Sequence, residues 1–115
     1  MRKTDKKMDN QLRITLTDAC ETALKTIHGF QWLTHIVNYS NFPKSLQVVC
    51  VFDSNENLTS FLSNSGKNAI ASIIQEKLQA IDIKVKNVTD HILYDTEERC
   101  AQDHNGNWAE RLAKH

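Results

Sequence analysis

Glycine and proline are scarce in this chain, 3 and 1 of 115 residues. That scarcity excludes low-complexity linkers and points to regular elements joined by short turns. The three cysteines, Cys20, Cys50 and Cys100, form an odd set with no CxxC pair. A disulfide framework is therefore not expected, which fits a reducing compartment. Neither sign of charge is in excess, with 14 basic and 14 acidic residues. That balance argues against a uniformly cationic nucleic-acid binder, although a local patch can act where the total is neutral. No stretch approaches the ~20 apolar residues of a membrane span, so a cytoplasmic protein without a membrane partner is expected. Gly29, Gly66 and Gly106 stand far apart. Neither a phosphate-binding loop nor a dinucleotide fingerprint can be written on them, and no nucleophile elbow is present.

What remains is ordinary globular material, 40% hydrophobic and 24% charged. Residues 1–115 read as one α+β domain, with 1–8 a disordered basic arm and 96–115 a polar, partly helical tail. From Asp9 to His28, Leu12, Leu16, Ala19, Cys20, Ala23, Leu24 and Ile27 recur at helical spacing, ending at Gly29. Ile14 falls off that stripe and marks a possible contact residue. Phe30–Tyr39 and Leu46–Phe52 read as strands separated by a turn at Pro43. The second, through Val48, Val49, Cys50 and Val51, is apolar on both faces and so central in its sheet. Asp53 and Glu56 have capping-box spacing ahead of a short helix through Leu58 and Phe61. A longer helix follows, lined by Ile70, Ile73, Ile74, Leu78 and Ile81. Alternation over Asp82–Lys86 and the run His91–Asp95 predict two more strands. Asn107 and Glu110 have cap spacing before a final short helix. The expected fold is helix-β-β-helix(-helix)-β-β-helix, a four-stranded, largely antiparallel sheet with helices on one face.

Four groups of side chains could carry chemistry. Glu97, Cys100 and His104 share a face if helical, and with His91 or Asp103 they offer zinc-ligating atoms. Paired close spacing, the usual mark of such sites, is missing. His35 and His91 lie in predicted strands, near Asp53 and Asp95 at strand ends, and imidazole–carboxylate pairs can run acid–base chemistry. Arg2, Lys3, Lys6 and Lys7, together with Lys84 and Lys86, could track phosphates if they converge. Arg111, Lys114 and His115 add charge at the other terminus. Trp108, if exposed, would join Ile14 as a protein-contact residue.

Several stretches carry a resemblance: Met1–Lys7, Phe30-Gln-Trp-Leu-Thr-His35, Phe42-Pro-Lys-Ser-Leu46, Val49-Cys-Val-Phe-Asp53, Tyr94-Asp-Thr-Glu-Glu98 and Asn105-Gly-Asn-Trp-Ala-Glu-Arg-Leu112. Nearly end to end, the chain resembles a family of small uncharacterised bacterial proteins, some labelled as Fis-type transcriptional regulators. The resemblance implies nucleic-acid binding. A Fis unit is a C-terminal helix-turn-helix, whereas the C-terminal third here reads as two strands and a polar tail, so no recognition helix is assigned. With no assembled catalytic motif, the expected function is a non-enzymatic protein-interaction or homo-oligomeric binding module without a cofactor. Nucleic-acid binding is the alternative, and a small enzyme or metal-binding protein the second alternative.

Overall fold

A computed structural model describes residues 3–64 and 66–113. The class is α+β, and among the described residues five helices surround a three-stranded mixed sheet. Helix α1 (Lys3–Thr26) runs antiparallel into β1 (Phe30–Ile36) through a tight turn. Gly29 makes that turn at φ +84°, and a Cβ there would stand 2.7 Å from the Cβ of Asn57. Only glycine combines that backbone with that approach. The segment expected as a disordered arm is helical from Lys3, because Met8 and Leu12 anchor it on the core.

A long connection, tied by the Ser45 hydroxyl to both backbone groups of Asn38, leads to β2 (Gln47–Phe52). Strand β2 pairs antiparallel with β1, Leu33 opposite Cys50, with an irregularity between Phe30 and Trp32. Helices α2 (Asn55–Ser63) and α3 (Gly66–Ala80) then cross over to β3 (Ile92–Thr96), which pairs parallel with β2. The side-chain cap of α2 is Ser54, accepting from the Asn57 N–H, rather than Asp53.

The expected fourth strand over Asp82–Lys86 does not form. Asp82 adopts φ 60° and ends α3 in a Schellman arrangement, with the Ile83 N–H on the Leu78 carbonyl at 2.9 Å and the Asp82 N–H on Gln79. Ile83 is buried and Val85 packs against the core while Lys84 and Lys86 stay in solvent. Alternation recorded one buried side of an extended chain, and it says nothing about whether a strand lies alongside. The position beside β2 is taken by β3.

Helices cover both faces of the sheet, not one. Val48, Cys50 and Phe52 point into the main core with Leu12, Leu16, Ile70, Ile74 and Leu78. Val49 and Val51, equally buried, face the other way. That second face is closed by α4 (Glu97–His104) and α5 (Trp108–Ala113). The C-terminal third is thus one strand and a helical pair around Asn105-Gly106-Asn107. Asn107 caps α5 through the Glu110 N–H at 3.1 Å, as its spacing predicts.

Candidate functional site

The register sets Trp32, Val51 and Asp95 in one row across the second face. Both oxygens of Asp95, only 3% exposed, accept from Arg111 of α5: Nε at 2.6 Å and Nη2 at 2.9 Å. The Thr96 N–H adds a third bond, at 2.8 Å. Arg111 Nη1 also donates to Asp103 and to His104 Nδ1, at 3.2 and 3.1 Å. Hydrogen bonding to Asp95, more than any other influence, drives the Arg111 pKa further up. Along the same row, Glu97 accepts from Trp32 Nε1 at 2.6 Å and from Trp108 Nε1 at 3.0 Å. The two indoles meet edge-on, centroids 4.8 Å apart.

The four metal candidates therefore do not converge. Glu97 holds the tryptophans, His104 Nδ1 lies against Arg111 Nη1, and Cys100 is buried. His91 Nδ1 lies 2.6 Å from the Leu46 carbonyl oxygen. Among the described residues no group of three or more His, Cys, Asp or Glu side chains is gathered as a metal site would need. Trp108 is half-buried inside this array, not an exposed contact. The α4–α5 pair does have helix-turn-helix connectivity. Its second helix, however, turns Trp108 and Arg111 inward, and its first opens with the acidic Glu97 and Glu98.

Neither imidazole–carboxylate pair anticipated from strand ends is made. Asp53 accepts from the Ser54 N–H and from Asn57 Nδ2, and the Asn57 bond leads in lowering its pKa. His35 instead reaches Asp9, with Nε2 and Oδ1 3.3 Å apart. The Tyr39 hydroxyl donates to that same oxygen at 2.8 Å, and Arg13 Nε lies 3.6 Å from the other. The Tyr39 bond leads in holding the Asp9 carboxyl below its usual value; burial, then Asp9 itself, push the Tyr39 phenol up. The result is an ionised carboxylate and a protonated phenol, with no activated nucleophile between them. Sequence reading missed this cluster because its members lie 26 and 30 positions apart and meet only through α1–β1 packing.

The basic residues are spread over different elements. Lys3, Lys6 and Lys7 occupy the first turns of α1 among Asp5 and Asp9, while Lys86 borders Asn68, Ser72 and Gln75 of α3. Arg2, Lys114 and His115 lie outside the described residues. A cleft of about 560 Å³ along α2, α3 and β3 mixes Lys67 and Arg99 with Asp90 and Tyr94. Burial raises the Tyr94 phenol, and it raises the Cys50 thiol to about 12, so neither ionises near neutrality.

A different character marks the outer edge of β1. Residues 31–36 make no backbone hydrogen bond beyond β2 among the described residues. All of them are at least partly exposed. Between α1 and this edge runs a groove of about 240 Å³, lined by Leu16, Thr17, Cys20, Leu33, Thr34 and His35 and flanked by Arg13 and Glu21. Among the described residues, the two large apolar side chains that are exposed, Ile14 at 72% and Leu24 at 50%, both belong to α1. Spacing marks Ile14 as off the stripe, but it also places Leu24 on the buried stripe, whereas the folded helix leaves Leu24 half exposed to solvent.

No protein-family model, curated protein or solved structure matches the chain. No helix among the described residues is long and apolar enough to cross a membrane.

Proposed function

We propose that this chain is a non-enzymatic protein-interaction module that binds through the open edge of β1 and the adjoining outer face of α1. The observation that carries this reading is the composition of the edge. From Phe30 to Ile36 the strand has no Lys, Arg, Asp, Glu or Pro. Edge strands that must stay alone are blunted by those residues, so an unprotected one is suited to accepting another chain. Ile14 and Leu24 extend the apolar character onto the neighbouring helix. The polar clusters add support from the other side, since Asp95, Arg111, Glu97 and Asp9 are occupied in holding elements together.

In-cell photo-crosslinking tests the reading. A photoreactive residue at position 14 is expected to give a protein adduct, and the same residue at position 84, on the exposed Lys84, is expected to give little. A clean position 14, with the protein folded and expressed, refutes it.

A further inference from the structure

We infer that the partner at this edge is a second copy of the same chain, related by a two-fold axis, with β1 pairing antiparallel to β1 and α1 lying antiparallel to α1. The inference rests on the interaction-module reading and names its partner.

The symmetry is legible on α1. A two-fold perpendicular to the sheet at the β1 edge makes both the strands and the overlying helices antiparallel. Arg13 and Glu21 flank the groove, and Thr17 lies midway between them. An axis at that level sets Arg13 of each copy against Glu21 of the other. Glu21 has no ionic or hydrogen-bonding partner among the described residues of its own chain. Arg13 already contacts Asp9 and Asn10, yet its side chain remains 65% exposed. Ile14 and Leu24 have their midpoint at residue 19, about 3 Å further along the helix. The same axis therefore leaves each exposed Leu24 about one helical turn, about 6 Å, from the level of the partner's Ile14, within reach of the two side chains. Opposite charges and apolar side chains are both disposed about nearly one point. A groove shaped for an unrelated chain has no reason to carry that self-complementarity.

The strand agrees in position. Leu33, Thr34 and His35 face Leu16–Glu21 across the groove. The axis near Thr17 thus passes over the middle of β1, and most of the strand can pair. Two copies joined this way form a continuous six-stranded sheet and remove the unprotected edge from both.

Sedimentation equilibrium on the full chain, from about 1 to 200 µM, tests the inference, with circular dichroism confirming that each variant is folded. The wild type is expected to be dimeric at the upper end, and Leu24→Arg to weaken association at least tenfold. Arg13→Glu is expected to do the same, and Arg13→Glu combined with Glu21→Arg to restore dimerisation. Restoration by the charge exchange is specific to the antiparallel arrangement. A wild type that stays monomeric overturns the inference. A dimer indifferent to all three variants also overturns it, because another surface then holds it. A monomer whose position 14 crosslinks to a different protein refutes the second copy and leaves the interaction-module reading intact. A monomer with no adduct sinks both.

Discussion

One face of the sheet is closed by aliphatic and aromatic side chains, the other by charges and indoles. On the first, α1 and α3 bury Leu12, Leu16, Ile70, Ile74 and Leu78 against Val48, Cys50 and Phe52. Stabilisation there scales with apolar area removed from water and demands little orientation. On the second, the short helices α4 and α5 have few apolar side chains to offer. They are held by a bidentate ion pair and by one carboxylate shared between two indoles. A six-residue helix such as α5 has too few turns to persist alone. Directional bonds supply what area cannot, so the second face tolerates far less chemical variation at each position.

That contrast can be broken at both ends. The largest loss is expected for Phe52→Ala, since Phe52 is fully buried and packs on Phe30 and Phe61 at ring centroid distances of 5.8 and 4.8 Å. About 4 kcal/mol should disappear from the urea unfolding free energy. Next comes Arg111→Ala, which removes the bidentate partner of the buried Asp95 carboxylate and should cost about 3 kcal/mol. Adding Asp95→Leu to it should recover part of that loss, because the buried charge then goes together with its ion-pair partner. The chain has two tryptophans, both in this array. Their fluorescence should therefore change with Arg111→Ala and stay native-like at low denaturant in Phe52→Ala. A double variant no better than the single one would mean that geometry, not charge, dominates the second face.

The smallest effect is expected at the rim of the first face, at Asp9. Its folded pKa lies below the ordinary 3.8, chiefly through the Tyr39 hydrogen bond. The ionised form is thus favoured by folding, and its contribution is present above the unfolded value and lost as pH falls through the folded one. Asp9→Asn should flatten the decline in stability between about pH 5 and pH 2 and lower stability slightly at neutral pH. Urea unfolding across that range checks it; an unchanged acid limb would remove Asp9 as a contributor.

Much of the first face was legible beforehand. The spacing of Leu12, Leu16, Ala19 and Ala23 placed α1, and the run Val48–Val51 placed a central strand. Ile70, Ile74 and Leu78 placed α3. These are period signals, carried by neighbours in the chain. The second face was not legible in the same way. Glu97, Cys100 and His104 stood out by residue type, and their chemistry suggested a metal. The partners that engage Glu97 and His104, namely Trp32, Trp108 and Arg111, come from a distant strand and from a helix beyond a turn. Lys84 and Lys86 gave a clean alternation with no strand behind it, because backbone pairing leaves no trace in side-chain polarity.

By itself the sequence determined the α+β class, the buried stripe of α1 and the central position of β2, since each depends on the periodic exposure of one local segment. It also determined the exposed Ile14 and the cap at Asn107. Tertiary structure alone decided that β3 enters parallel, that α4 and α5 close the opposite face, and that Asp9 meets Tyr39 and His35. The same holds for the open edge of β1. Each of these depends on which distant segment arrives alongside, and strand neighbours, helix sides and unpaired edges exist only once the chain has folded back on itself.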